Sequence, residues 1–210
     1  MSQINVNTIG ARTGTTISVA SGHTLQDADG NAIASGGLTK LYSTSVTGSS
    51  SVSQDNVFTS TYNHYRIYIT GKGNTGLTYY KLRLRSGGST NTANYRWDED
   101  YVRLDGSGSG ANNNSYGNDT GWYLRGVAGA NAFNTMHSIV ELYYPQNTSH
   151  LTSFLSKAII TEFNSSYQGA AYRTETGGWH ESKTANDGFE IYDNNGNSFD
   201  ADITVFGIAQ

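Results

Sequence analysis

His64-Tyr65-Arg66-Ile67-Tyr68-Ile69-Thr70 and, further on, Tyr80-Lys81-Leu82-Arg83-Leu84-Arg85 decide the fold. Both stretches alternate with a period of two. Tyr65, Ile67 and Ile69 fall on one face of an extended chain, and so do Tyr80, Leu82 and Leu84, with the three basic residues on the opposite face. A helix would need apolar residues three and four apart, which neither stretch supplies. Working outward, the same alternation or apolar enrichment marks strands over Thr39–Val46, Tyr101–Leu104, Gly121–Arg125, Ser138–Tyr144, Phe154–Phe163, Tyr167–Glu175, Gly188–Tyr192 and Ala201–Ile208. Roughly ten short strands divided by turn signals predict an all-β fold: an antiparallel β-sandwich, jelly-roll-like, with no helix longer than about two turns.

Composition agrees. Ser, Thr, Asn and Gly make up 93 of the 210 residues, and charged residues only 14%. Thr and aromatics favour strands, while Gly and Asn serve tight turns that need positive φ. The lone proline, Pro145, follows a predicted strand, where its missing N–H costs least. The net charge of −4 argues against a nucleic-acid partner held by phosphate neutralisation. No stretch is long and apolar enough for a membrane-spanning helix. Cysteine is absent, so neither disulfides nor thiolate metal sites enter. The N-terminus lacks a basic then apolar leader, and synthesis in a cytoplasm is expected. The sequons at Asn113, Asn118, Asn147 and Asn164 then read as accidents of composition.

The chain divides by aromatic content. Residues 1–41 hold no Phe, Trp or Tyr, and the rest hold all 25. Residues 1–37 are therefore expected to be an extended arm, and 38–210 the β-sandwich head. The arm offers small apolar groups, among them Ile4, Val6, Ile9, Ile17, Val19 and Leu25, which are too few to offset the entropy of ordering it alone. Burial against sister arms is the simplest completion. At the other end, Ile203 and Val205 share one face of the last strand while Phe206 and Ile208 share the other. Either that strand is covered on both sides or its outer side meets another subunit.

Motifs of catalysis are missing. The five histidines show no metal spacing, and no nucleophile elbow occurs, so no cofactor, metal or catalytic residue is expected. Gly106–Gly110 lacks the Lys-Ser/Thr of a phosphate loop, and Asp27–Asn31 reads as a turn rather than a calcium loop. Asp98-Glu99-Asp100 cannot all face one point on a strand. They read as a solvated turn, balanced by Arg83, Arg85 or Arg96. The basic stripe Lys81, Arg83, Arg85 reads as a solvent-facing sheet surface with cross-strand acids.

One constellation suits a ligand. Trp97, Asp98, Asp100 and Tyr101, with Asn113 and Tyr116 in the loop Asp105–Asp119, and Trp179 as a second patch, mix aromatic rings with amides and acids. Sugars stack their C–H faces on rings and exchange hydrogen bonds with such groups. The same tryptophans, Trp97 and Trp122, also fit a core.

The opening SQINVNTIGARTGTTISVASGHTL (residues 2–25) resembles the N-terminal arms of virion appendage proteins of tailed bacteriophages, especially phages of marine bacteria and cyanobacteria. FTSTYNHYRIYITG, KLRLRSGG, VELYYPQNT and the closing ITVFGIAQ are similar to the β-rich heads of such fibre proteins. The resemblance implies a virion structural protein, commonly a homotrimer. Its arm would attach to other virion proteins, and its exposed head would meet a host cell-surface glycan. The long repetitive shaft of typical fibres is absent. A capsid, collar or tail decoration protein is therefore an alternative to a short receptor-binding fibre. From another class, a polysaccharide depolymerase using Asp98, Asp100 or Glu181 remains a rival.

Overall fold

The computed structural model describes residues 37–74, 76, 78–104, 112–127, 134–164 and 167–209. The arm residues Ile4, Val6, Ile9, Ile17, Val19 and Leu25, and the segment 105–111, lie outside the described residues. The strands belong to one unit, Leu38–Gln210.

The described residues form strands and no helix. In chain order these are β1 (Leu38–Ser49), β2 (Ser51–Gln54), β3 (His64–Gly73), β4 (Thr78–Ser86), β5 (Ser89–Thr90), β6 (Tyr95–Arg103) and β7 (Asn112–Asp119). There follow β8 (Trp122–Val127), β9 (Thr135–Tyr143), β10 (Thr152–Asn164), β11 (Tyr167–His180), β12 (Gly188–Asp193) and β13 (Phe199–Ile208). An eight-stranded sheet runs β1-β13-β3-β9-β10-β11-β6-β7, and a smaller one β2-β12-β4-β5 with β8 also on β4. The pairings are antiparallel, and the fold is the antiparallel β-sandwich that the alternation predicts.

The core lies between the sheets. Tyr65, Ile67 and Ile69 of β3 are buried, as are Tyr80, Leu82 and Leu84 of β4, the two triplets on which the prediction rests. Trp122 of β8 lies flat on Phe154 of β10, ring centres 4.9 Å apart and planes 2° apart, and so ties the small sheet to the large one. Tyr80 meets Phe199 edge-on at 5.0 Å. Trp122 therefore belongs to the core.

The last strand, β13, lies between β1 and β3 with Ile203 and Val205 buried. Phe206 and Ile208 are half-buried on the outer face. There Phe206 packs edge-on against Tyr68 at 5.7 Å, and Ile139 and Ile159 are exposed nearby in the same sheet.

Three expectations need correction. Asp98-Glu99-Asp100 is not a turn but the middle of β6: Trp97 and Glu99 point inward and are buried, while Asp98 and Asp100 point out. A charged residue at an inward position hides this strand from an apolar pattern. Nor is Asp105–Asp119 a loop throughout, since Asn112–Asp119 is β7, the edge strand beside β6. The balancing of the basic residues also differs. Arg83 pairs with Glu190 at 3.4 Å, Arg85 with Asp55 at 2.7 Å, Arg96 with Glu181, and Lys81 is buried against Asp119 at 2.8 Å. Cross-strand acids do balance the stripe, but Lys81 does not face solvent.

Candidate functional site

The outer face of the large sheet carries a trough where β11, β6 and β7 meet. Register assembles it: Trp179 lies opposite Arg96, Gly178 opposite Trp97, and Gly177 opposite Asp98, while Trp97 lies opposite Tyr116 on the other side. The cavity measures about 580 Å³ and is lined by Arg96, Trp97, Asp98, Tyr116, Gly177, Gly178 and their neighbours Gly117 and Trp179. Trp179 is 44% exposed and Tyr116 54% exposed, so both present ring surface to solvent.

The two glycines form the floor for different reasons. A Cβ on Gly178 would lie 2.1 Å from the carbonyl oxygen of Arg96, so β6 and β11 approach too closely there for any side chain. A Cβ on Gly177 would meet nothing within 4 Å. That position is open, and any larger residue would rise into the trough.

Behind the trough the rings form a ladder. Tyr116 stacks on Trp97 at 4.4 Å with planes 24° apart, and Trp97 stacks on Tyr123 at 5.2 Å with the same tilt. The Trp97 indole N–H donates to Asp119 Oδ2 at 2.9 Å. Lys81 Nζ donates to both Asp119 oxygens at 2.8 and 2.9 Å. Burial alone would raise the Asp119 pKa, but the hydrogen bonds from Lys81, Trp97 and the Thr120 amide outweigh it and hold it below the usual carboxylate value. Trp97 is thereby fixed in place, and Tyr116 is presented on its face.

Deeper along β6, buried Glu99 pairs with Arg125 of β8 at 3.2 Å. Arg125 takes φ 87°, a region L-residues seldom occupy, where the β4–β8 register slips between Tyr80 and Lys81. Such irregularities re-aim side chains. Here the guanidinium lies over the Tyr101 ring at 4.0 Å as well as beside Glu99. Burial works against the charge on Arg125, but Glu99, Tyr123 and Tyr101 together outweigh it, so its pKa stands above the ordinary arginine value.

At the end of β11, His180 is buried beside Trp179. Its Nε2 lies 3.1 Å from the Ala93 carbonyl oxygen, and its ring is 4.6 Å from Tyr95. Burial lowers its pKa below the ordinary histidine value, more than its hydrogen bonds raise it.

Of the residues read from the sequence, Trp97, Asp98, Tyr116 and Trp179 come together in the trough. Trp97 contributes little open surface, being 6% exposed. Asp100 projects outward one pair further along β6, opposite Asn113 on β7 and Glu175 on β11, and Tyr101 is half-buried beneath Arg125. Arg96, Gly117, Gly177 and Gly178 line the trough without having been anticipated. The Gly177-Gly178 pair in front of Trp179 was the available signal, since paired glycines inside a strand mark close backbone approach. Arg96 carries the rim charge and is paired to Glu181. No family model, curated protein or solved structure matches this chain.

Proposed function

We propose that this protein is a non-enzymatic virion appendage whose head binds a cell-surface glycan in the trough between β7, β6 and β11. One observation carries the reading: Trp179, exposed on the outer face, stands beside a bare glycine floor with Asp98 and Arg96 at hand, while exposed Tyr116 stacks on Trp97 on the inner face of the same strands. Rings with open faces beside a few fixed polar groups are what sugar recognition needs. A stacked ring contributes about 0.5–1.5 kcal/mol beyond area burial, so one head binds weakly. Weak heads become an effective attachment device when several are linked, because the second contact is made at high effective concentration. That agrees with the homotrimer and with the arm as the attachment to other virion proteins, both implied by the resemblance of residues 2–25. The apolar outer face around Phe206, Tyr68, Ile139 and Ile159 supports contact between heads as well.

The full chain, applied to a glycan array and then to envelope polysaccharide of a candidate host, tests the reading. Saturable binding with no release of reducing ends is the expected result. Release of reducing ends would replace the appendage by a depolymerase. A silent array together with tight binding to capsids would replace it by a decoration protein.

A further inference from the structure

The charges beside Trp179 do not cancel. Successive residues of a strand point to opposite faces, so Trp179, Gly177 and Glu175 of β11 share the outer face with Arg96, Asp98 and Asp100 of β6. Register sets Asp98 directly opposite Gly177 and Arg96 opposite Trp179. Trp179 and Asp98 are therefore diagonal neighbours, roughly 7–8 Å apart by the usual sheet spacing. The space between them is open because Gly177 has no side chain: a Cβ there would meet nothing within 4 Å.

The cations around this floor are matched by acids. Arg96 is paired to Glu181, and Lys157 lies 3.5 Å from Glu175. Asp98 and Asp100 are both exposed, and among the described residues neither side chain has an ion pair or a hydrogen bond. Asp100 also faces Glu175 directly across the strands, like charge against like. The next cation on this face, Arg173, stands opposite Val102, diagonal to Asp100 and two outward positions away from Asp98. Asp98 is thus an uncompensated carboxylate at the glycine floor, next to an exposed indole ring.

That pair of groups favours a positive guest. A cation within about 6 Å of a tryptophan ring centre is attracted by the ring quadrupole. The same cation donates a charge-assisted hydrogen bond to a carboxylate. An anion meets repulsion from Asp98 and Asp100, and the nearest guanidinium, Arg96, is committed to Glu181. A neutral sugar gains the stacking and ordinary hydrogen bonds but not the charge.

We infer that the trough selects an amino sugar with a free ammonium group, its ring over Gly177 and its ammonium between the Trp179 ring and the Asp98 carboxylate. The inference rests on the glycan-binding reading and narrows it to a substrate class. A deacetylated hexosamine is bound in preference to its N-acetylated counterpart, and an acidic sugar is disfavoured. Both contacts are exposed and each is modest, so the preference is about threefold to tenfold.

NMR titration of the full chain, followed at the Trp179 indole N–H at neutral pH and low salt, tests this. The probes are glucosamine and chitotriose, their N-acetylated forms, glucuronate as the anionic control, and choline as an ammonium without a sugar ring. Chitotriose should bind about threefold to tenfold more tightly than triacetylchitotriose, and added salt should shrink the difference. Asp98→Asn should bring the two to the same affinity, and Asp100→Asn should keep most of the preference. Both aspartates are exposed, so neither change threatens the fold. Equal affinity for the N-acetylated form or glucuronate, a preference that survives Asp98→Asn, or choline binding as tightly as chitotriose would overturn the inference. Trp179 shifts of equal affinity with both trisaccharides leave the glycan-binding reading standing without its amine preference. Trp179 signals that no sugar moves overturn the inference and count against the trough itself.

Discussion

Tyr116 lies on the face of Trp97, 4.4 Å between ring centres, with the tyrosine more than half exposed and the tryptophan buried. The buried partner sets the position of the exposed one. Trp97 is held by the Asp119 hydrogen bond and by Tyr123 behind it, so Tyr116 is supported by a fixed surface rather than by a mobile strand edge.

Trp179→Ala is expected to weaken glycan binding about fivefold to tenfold, the loss of one stacking ring, with the melting temperature nearly unchanged. Trp97→Ala should instead cost about 3–5 kcal/mol of stability, as large-to-small core substitutions do. Thermal denaturation alongside titration of the bound glycan checks both halves.

The two floor glycines should respond oppositely. Gly178→Ala places a methyl against the Arg96 carbonyl and should destabilise by about 1–3 kcal/mol or more, the range for overpacking. Gly177→Ala should be tolerated, and Gly177→Leu should fold yet lose glycan binding, because its side chain would fill the trough. Denaturant melts with binding assays distinguish these outcomes.

Glu99 is buried, and its charge is balanced by the half-buried Arg125. Arg125→Ala should cost about 3–5 kcal/mol, because buried Glu99 is left without its compensating charge, and Glu99→Ala should cost less, since Arg125 can reach water. The double variant Glu99→Leu with Arg125→Leu should recover part of that loss. A double-mutant cycle in urea measures the coupling.

Acidification should loosen the β11 end that carries Trp179. The folded-state pKa of His180 lies below the ordinary histidine value of 6.5, so the unfolded chain binds the extra proton first as pH falls. Stability from this group is complete above that value and declines as pH drops from 6.5 toward the folded pKa. His180→Gln should flatten that part of the profile. Asp119 acts lower down: its pKa is depressed below 3.8, so its contribution holds above that value and fades as pH falls beneath it. Melting temperatures across pH 3–8 for both chains are the check.

Much of the fold was legible in the sequence because Tyr65–Ile69 and Tyr80–Leu84 alternate apolar with polar residues, and such alternation has one good solution. β6 was not legible because Glu99 occupies an inward position. The aromatic alternation of Tyr95, Trp97 and Tyr101 around it was present, but its compensating Arg125 comes from another strand and is aimed by a register slip that no local pattern encodes. β7 was hidden by Asn112-Asn113-Asn114, poor strand formers that an edge position tolerates. In the trough, residue chemistry singled out Trp97, Asp98, Tyr116 and Trp179. It could not single out Gly177 and Gly178, which contribute by having no side chain. Nor could it separate Asp98 from Tyr101, which point to opposite faces of the sheet.

Trp179 fluorescence tests the central claim most directly. Of the three tryptophans, Trp97 and Trp122 are buried, so the solvent-accessible signal belongs to Trp179. Titrating the full chain with an array-positive glycan should shift the emission to the blue and shield it from acrylamide quenching, and Trp179→Phe should remove the response. Saturable glycan binding that leaves both emission and quenching of the unmodified chain unchanged would contradict the account, because the sugar would then be held elsewhere on the head.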